Sequence, residues 1–411
     1  MTTTYAGGLT RAQVRAWRNA LFVIFGACGI GMASWAARLP SVRDTLHAST
    51  QDMGVLIFGV AAGSIIGLLA SSHVVSRLGA RTTIAVTFTV GPVGYALAGL
   101  GVAVVNFPVI FLGLIVFGIG FSMCDVAMNL QGAANERVLR RTIMPVYHAF
   151  FSFGTMIGAG VGALMEALHV PIVAHIVGVA IVMAIAVQTA ARRLQSEHLV
   201  DTSTGSTAVA AEHHGTWRDR LSIWRDPRTL LIGLIVLGMA FAEGSANDWL
   251  PLASVDGHHV DKATGALVFG VFVTAMTLGR LGGVFVLDRF GRVPVLRASA
   301  ILAAVGLAIF IFVPDPIVST VGVVLWGLGA SLGFPVGMSA AADDPKVAAA
   351  RVSAVATIGY CAFLIGPPLI GFLGQHFGLL NALLVVLALV AVSGFASAAA
   401  RKPVLAGATV S

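Results

Sequence analysis

The chain of 411 residues is 57% hydrophobic and only 10% charged, whereas an average soluble protein carries roughly 25% charged residues. This composition excludes a soluble enzyme, a secreted disulfide-stabilised domain, a disordered chain and a DNA-binding domain, because too few polar side chains are present to cover a water-exposed surface. The formal net charge is +7, and in a membrane protein such an excess of lysine and arginine reports orientation rather than nucleic-acid binding.

Twelve apolar runs are long enough to cross a bilayer, for which a helix needs about 20 residues. The runs are continuous rather than alternating, so they predict helices and not the strands of a membrane barrel. The sequence therefore predicts an all-α membrane protein with twelve transmembrane helices. These lie near residues 16–37, 53–75, 83–105, 108–130, 143–166, 170–191, 229–251, 264–287, 294–313, 316–338, 349–372 and 377–399.

One long hydrophilic segment, residues 192–228, divides the spans into two sets of six. We expect a six-helix bundle in residues 1–191, a cytoplasmic linker in 192–228 and a second bundle in 229–411. Of the 25 lysines and arginines, 21 fall on one side of the predicted membrane, Arg38, Arg43 and Lys262 fall on the other, and Arg280 lies within a span. This bias places both termini and the linker of a multi-pass protein in the cytoplasm.

The two halves repeat one another. Arg38-Leu39-Pro40 ends the first predicted span, and a Leu-Ile-Phe-Gly-Val segment begins sixteen residues after Pro40. Trp249-Leu250-Pro251 ends the seventh, and a Leu-Val-Phe-Gly-Val segment begins sixteen residues after Pro251. Each half then reaches a basic turn containing Arg-x-Gly, so the sequence indicates a duplicated six-span unit. Parallel repeats of this kind place a substrate site between the halves, near the middle of the membrane.

The Asp-Arg-x-Gly-Arg turn after the eighth span resembles the signature loop of the major facilitator superfamily. Further segments, including those around Asp125 and Tyr360, resemble the YbjJ-like group of bacterial permeases. The resemblance implies a rocker-switch carrier with a central cavity between two bundles. Ser76 stands where the family usually has an acid, which puts a charge-based latch in the first half in doubt. The predicted gating and signature-loop residues are Arg77, Gly79, Arg280, Asp288, Arg289, Gly291 and Arg292.

Glycines repeat every fourth residue in three spans: Gly59, Gly63 and Gly67, then Gly154, Gly158 and Gly162, then Gly279 and Gly283. Such stripes let helix backbones approach closely in lipid. Either they line an interface between the halves that slides during transport, as the family resemblance suggests for these spans, or they serve static packing.

Ionisable residues inside the membrane are costly and are functional candidates by default. In the fourth span, Asp125 and Asn129 share one helix face, and His148 lies at a similar depth in the fifth span. We predict that Asn129 lines the substrate cavity. Asp125 with His148 could bind and release a coupling proton, or the two could form a structural polar contact between neighbouring spans.

Glu243 lies near the middle of the seventh span, with Asn247 one turn further along and Asp248 beyond it. A mid-membrane carboxyl group beside an amide suits proton coupling or the binding of a hydroxylated solute. Hydrogen bonds that join helices are the structural alternative. We predict Glu243 as a proton-coupling residue and Asn247 and Asp248 as lining the substrate cavity.

Four more residues are candidates. Arg38 could face the cavity and hold a polar group, or it could extend to the lipid headgroups. Arg280 could pair with an acid at the cytoplasmic gate. Trp326 and Tyr360, deep in the tenth and eleventh spans, could line the cavity or belong to the core.

No nucleotide-binding loop, nucleophile elbow or metal-ligand spacing is present in the sequence, so we predict a non-enzyme without cofactor or metal, acting as a monomer. The leading expectation is a secondary active transporter that takes up a small polar, sugar-like solute with protons. A proton-driven efflux antiporter for drugs or metabolites is the alternative. A transporter-like sensor that binds solute without moving it is a third interpretation.

Overall fold

The computed structural model describes residues 8–141, 143–195, 222–344 and 347–401. Within them, twelve helices are long and apolar enough to cross a membrane, which confirms the predicted number. The predicted linker lies largely outside the described residues. The helices, numbered here as spans 1 to 12, are Arg11–Ala36, Thr50–Leu78, Ala80–Ala103, Phe107–Leu139, Met144–Ala167, Ile172–Ala191, Pro227–His258, Lys262–Gly283, Arg292–Phe312, Pro316–Ala341, Ala350–Phe377 and Leu379–Ala400.

Several helices run past their predicted ends. Span 4 continues to Leu139 and span 7 to His258, beyond the predicted ends at residues 130 and 251. The prediction stopped span 7 at Pro251 because a proline removes one helical hydrogen bond. The helix nevertheless contains Pro251, since one missing bond costs less than exposing several backbone groups where water is scarce.

The repeated basic turn has the same backbone conformation in both halves. Gly79, between spans 2 and 3, has φ +76° and ψ 156°. Gly291 follows the helix of span 8, which continues to Phe290, and has φ +76° and ψ 171°. This region of φ and ψ is accessible essentially to glycine alone. The glycine of the signature is therefore required by the sharp turn between two antiparallel helices.

The glycine stripes of spans 2 and 5 bring helix backbones into contact. A Cβ atom on Gly63 would lie 2.1 Å from the carbonyl oxygen of Ile115 in span 4. A Cβ atom on Gly154 would lie 2.2 Å from the carbonyl oxygen of Gly26 in span 1. The close approach predicted from the spacing is present. These contacts join spans of the first half to each other, which favours static packing over a sliding interface between the halves.

We expect Gly154→Ala to destabilise the protein by about 1–3 kcal/mol, because the added methyl group forces two backbones apart. Gly160→Ala, in the same span, is the matched control, since no atom lies within 4 Å of a Cβ atom at that position. Thermal stability in detergent should fall only for Gly154→Ala. Equal behaviour of the two variants would show that spans 1 and 5 do not approach as described.

By contact, the chain forms two compact units. The first combines the described residues of Met1–Ala211 with Leu250–Val273, and the second combines those of Glu212–Trp249 with Thr274–Ser411. The repeat predicted from sequence divides the chain at its linker. The contacts instead assign the adjoining ends of spans 7 and 8 to the first unit.

Within the second unit, the core joins spans 7, 10 and 11 through buried Val236, Met239, Val336 and Val355. Span 10 is interrupted: its two helices, Pro316–Ala330 and Gly333–Ala341, are separated by Ser331 and Leu332. Discontinuous membrane helices leave backbone groups available to side chains and solutes, and this interruption lies beside the candidate site.

Candidate functional site

An ion pair joins spans 7 and 8 in the second unit. Nη2 of Arg280 donates to both carboxylate oxygens of Glu243, at 2.8 Å to Oε1 and 2.9 Å to Oε2. The Arg280 side chain is 35% exposed and that of Glu243 18% exposed. Charged groups turned toward hydrocarbon are costly, so we expect the exposed part of this pair to face water rather than lipid.

The pair lies deep in the membrane-spanning region, beside the interruption of span 10. Glu243 is the seventeenth of the 32 residues in the helix Pro227–His258, about 24 Å along it from either end. Nε of Arg280 points to the carbonyl oxygen of Ser331 at 3.4 Å. A cation is favoured at that position because the carboxyl end of the helix Pro316–Ala330 carries partial negative charge.

The structure thus connects two residues that the sequence analysis treated separately. Arg280 does pair with an acid, but its partner is Glu243 in the middle of span 7 and not a residue at a cytoplasmic gate. Chemically, such a pair can act as a switch: a carboxylate holds a guanidinium through charge-assisted hydrogen bonds, and loss of the negative charge weakens them and lets the guanidinium reach another acceptor.

Asn247 and Asp248 continue the polar surface of span 7. In the part of the chain that the structure describes, neither side chain has a hydrogen bond or ion pair. A carboxylate without a cation is costly inside a membrane, and protonation removes that cost. Asp248 is therefore a second acid of the second unit that suits proton binding, in addition to its predicted place in the substrate cavity.

In the first unit, Asp125 is bonded within its own helix. Nδ2 of Asn129 donates to the backbone oxygen of Asp125 at 2.8 Å and to Oδ1 at 3.3 Å, as their shared face predicts. The His148 ring lies edge-on to Phe25, with ring centres 5.3 Å apart. The pairing of Asp125 with His148 for proton transfer stays a prediction.

Arg38 neither faces a cavity nor extends to headgroups, contrary to both expectations. It is 2% exposed, its Nε lies 2.9 Å from Oε1 of Glu166, and Nη2 donates to the carbonyl oxygen of Val170 at 2.7 Å. Ser41 Oγ donates to the other carboxylate oxygen of Glu166 at 2.9 Å. Burial lowers the pKa of the Arg38 guanidinium, although Glu166 opposes this shift. The group is a buried structural ion pair.

The two aromatic candidates, Trp326 and Tyr360, differ in their exposure. Trp326 has no solvent exposure and lies against Phe310, with ring centres 6.1 Å apart. It packs between spans 9 and 10, which agrees with the core placement, one of the two that the sequence leaves open. Tyr360 is 44% exposed and is the aromatic residue of the two that a solute could reach.

The sequence analysis missed a charged cluster between the connector helix Leu39–Leu46 and the adjoining ends of spans 7 and 8. Arg43 pairs with Asp256 and, at 3.2 Å, with Asp44. Nζ of Lys262 lies 2.7 Å from the other oxygen of Asp44. All four residues belong to the first unit. Their signal in the sequence is that Arg43 and Lys262 stand among the few cations on their side of the predicted membrane.

The cluster makes stability depend on pH through Asp44. Burial raises the pKa of this carboxyl, but Lys262 and Arg43 outweigh that effect and leave it below the ordinary value of 3.8. Its pairing therefore stabilises the folded state above that value and is lost as the pH falls through the lowered pKa. We expect Asp44→Asn to lower thermal stability at pH 7, and we expect its difference from the wild type to shrink as the pH falls below 3.8 through the lowered pKa. An unchanged difference over this range would contradict this assignment.

The residues of the signature loop in the second half differ in the contacts that they form. Nη1 of Arg292 lies 2.7 Å from Oδ1 of Asp343, and the Arg289 guanidinium lies over the Phe290 ring at 5.5 Å. Asp288 is exposed and forms no ion pair with any described residue, and Arg77 in the first half is exposed as well. Arg292, and not Asp288, is the residue of the loop that joins neighbouring spans.

The comparisons with known proteins agree with this architecture. The profile of the Major Facilitator Superfamily matches residues 20–361 and 256–408. The chain is 29% identical over 354 residues to an uncharacterized MFS-type transporter of Yersinia pestis, covering 85% of this chain and 87% of that protein. It is 26% identical over 362 residues to the membrane protein MosC of Rhizobium meliloti, covering 88% and 84%.

Solved structures share the fold at low sequence identity. The nucleoside transporter NupG has a TM-score of 0.74 and 15% identity, covering 95% of this chain and 99% of that one. The fucose:proton symporter FucP of E. coli has a TM-score of 0.62 and 16% identity, covering 96% and 100%. The xylose transporter XylE of E. coli has a TM-score of 0.67 and 14% identity, covering 93% and 98%. The profile spans most of the sequence, and the chain is a multi-pass membrane transporter, not an enzyme, that belongs to the major facilitator superfamily.

Proposed function

We propose that this transporter takes up a small, polar, hydroxylated solute together with protons, across the inner membrane of a bacterium. The observation that carries the proposal is the ion pair between Glu243 and Arg280, which lies deep in the spans with both side chains partly exposed. A carboxylate held by an arginine can exchange its partner for a proton, and the arginine then becomes available to a solute.

The coupling step follows from the donors present. When Glu243 takes up a proton, it loses the negative charge that holds Nη2 of Arg280, and the hydrogen bonds from Nη2 to its two oxygens weaken. A hydroxyl oxygen of the solute replaces them, and the Asn247 amide, one turn away, can donate to a second oxygen. When Glu243 releases the proton, its carboxylate recovers Arg280 and displaces the solute. Proton and solute therefore bind together and leave together.

Other residues have roles in the same proposal. Asp125, which is bonded to the Asn129 amide, and Asp248, which has no partner among the described residues, are additional candidate proton sites. Tyr360 is a candidate for solute contact. His148 is a candidate relay to Asp125. The arginine-rich side of the spans is assigned to the cytoplasm, together with both termini, and the single chain is proposed to work as a monomer.

The fold relatives suggest the class of solute. Their names refer to a nucleoside transporter, a fucose:proton symporter and a xylose transporter. Nucleosides, fucose and xylose all carry several hydroxyl groups and no net charge. A site built from one arginine, one protonatable acid and one amide can bind solutes of this kind through hydrogen bonds.

The test is solute-driven proton movement in proteoliposomes, with a panel of sugars, nucleosides, organic acids and cationic drugs. We expect one or more hydroxylated solutes to move protons in the same direction in the wild type and not in Glu243→Gln. Glu136→Gln is the matched control, because Glu136 lies at the end of span 4, where its carboxylate accepts from the backbone of Ile143 and Met144. Proton movement opposite to that of a drug would favour efflux. Unchanged coupling in Glu243→Gln would exclude the assigned proton site.

A further inference from the structure

A second polar centre lies at the arginine-rich ends of spans 7, 9 and 11, away from the proposed transport site. Here Arg228 and Arg292 share one carboxylate: Nη2 of Arg228 lies 3.1 Å from Oδ2 of Asp343, and Nη1 of Arg292 lies 2.7 Å from Oδ1. All three side chains belong to the second unit. Two cations on one acid leave a net positive charge at this position.

Arg351 adds a third cation. It is 7% exposed, with Nη2 at 3.1 Å from Oδ2 of Asp226 and Nε donating to Oγ1 of Thr229 at 3.0 Å. Its Nη1 is buried and has no hydrogen-bond partner among the described residues. We call Arg228, Arg292 and Arg351 with Asp226 and Asp343 the arginine cluster. It has three cations, two carboxylates and one unused buried donor.

Both carboxylates of the arginine cluster already accept hydrogen bonds. Asp343 accepts from two arginines. Asp226 also accepts from the backbone and hydroxyl of Thr229 at the start of span 7. Nε of Arg228 also donates to the carbonyl oxygen of Ala399, and its Nη2 to that of Arg401. Nη1 of Arg351 is the buried guanidinium atom of the cluster that keeps no hydrogen-bond partner among the described residues. Arg225, next to Asp226 in the chain, and Arg401 form no ion pair within the part of the chain that the structure describes.

The arginine cluster lies beside exposed apolar side chains, so its position suits an amphipathic molecule. The turn Ile223–Arg225, which precedes span 7, exposes 41% of Trp224, and tryptophan is enriched at the level of lipid headgroups. Directly after Arg228 and Thr229, the apolar residues Leu230 and Leu231 are 44% and 43% exposed. An occupant would thus meet cations at one end and an apolar helix surface at the other.

We propose that the arginine cluster binds the phosphodiester headgroup of an anionic phospholipid of the cytoplasmic leaflet, with its acyl chains along the exposed leucines of span 7. A phosphodiester offers oxygen acceptors in the planar geometry that arginine donors match, and its charge neutralises the excess cation. Basic pockets between membrane helices on the cytoplasmic side are the expected place for such lipids. The bound lipid would hold the ends of spans 7, 9 and 11 together.

The test compares dioleoylphosphatidylglycerol with dioleoylphosphatidylcholine by native mass spectrometry of the full chain in detergent. We expect one phosphatidylglycerol molecule to stay bound preferentially, with affinity reduced roughly tenfold or more in the double variant Arg228→Gln and Arg292→Gln. The matched control is Arg11→Gln with Arg15→Gln, which removes the same charge from two exposed arginines of the first unit. If the double variant does not fold, Arg292→Gln alone carries the comparison, since Arg228 still pairs with Asp343.

Three results would overturn the proposal. Equal binding of the two lipids would show that the headgroup charge is not recognised. An equal loss in both double variants would show a diffuse effect of net charge. Displacement of phosphatidylglycerol by an equal concentration of inorganic phosphate would identify a soluble anion as the ligand. None of these outcomes depends on the transport activity, so the proposed function and this lipid site can fail separately.

Discussion

Replacing Glu166 with alanine is expected to destabilise the protein by about 3–5 kcal/mol, the cost of removing one partner from a buried ion pair. The variant leaves the Arg38 guanidinium without a countercharge in a site where its side chain is only 3% exposed. Ser41 also loses the oxygen to which its hydroxyl donates. Thermal or denaturant-induced unfolding in detergent measures the loss.

The double variant Arg38→Met with Glu166→Met distinguishes a buried charge from a merely disturbed helix contact. Removing both charges and filling the space with apolar side chains should recover most of the stability, because no unpaired charge is left in the interior. A double variant at least as unstable as Glu166→Ala would show that the cost lies in shape and not in charge. The same series should leave the proton site at Glu243 unaffected.

Arg280→Gln is expected to have the second large effect, on coupling as well as stability. It removes the cation that Glu243 would exchange for a proton, so the partner exchange on which the proposed coupling depends can no longer occur. We expect accumulation driven by a proton gradient to be lost. The stability loss should be smaller than at Glu166, about 1–3 kcal/mol, because the pair is partly accessible to water.

A double-mutant cycle tests the link between these two residues. Arg280→Gln with Glu243→Gln removes both charges and should be more stable than Arg280→Gln alone, a non-additivity expected of residues in direct contact. Strictly additive losses of stability would mean that the two side chains do not interact in the membrane. Stability is measured in detergent, and accumulation in proteoliposomes made from the same preparations.

The features that the sequence predicts best are those determined by residues close together in the chain. Runs of about 20 apolar residues suffice to place twelve spans. The turns at Gly79 and Gly291 can be predicted because their backbone conformation is accessible essentially to glycine alone. The spacing of Gly63 and Gly154 likewise predicts close helix contacts. It does not identify the partner helix, because any neighbouring backbone can fill the same groove.

The predictions that failed required knowledge of residues far away in the chain. Arg38 near the end of span 1 gives no sign that Glu166, at the end of span 5, will turn toward it. The pairing of Glu243 with Arg280 depends on how spans 7 and 8 rotate about their own axes, and hydrophobicity fixes this rotation poorly in helices surrounded by lipid. Trp326 shows the same ambiguity, because an aromatic residue deep in a span is suited equally to core and cavity.

The measurement that tests the central claim most directly compares two transport modes of Glu243→Gln in the same proteoliposomes. The neutral amide mimics the protonated acid, so we predict that exchange of labelled for unlabelled solute persists while accumulation driven by a proton gradient is abolished. The wild type should perform both. Accumulation by Glu243→Gln at the wild-type level would contradict the assignment of Glu243 as the residue that couples protons to solute.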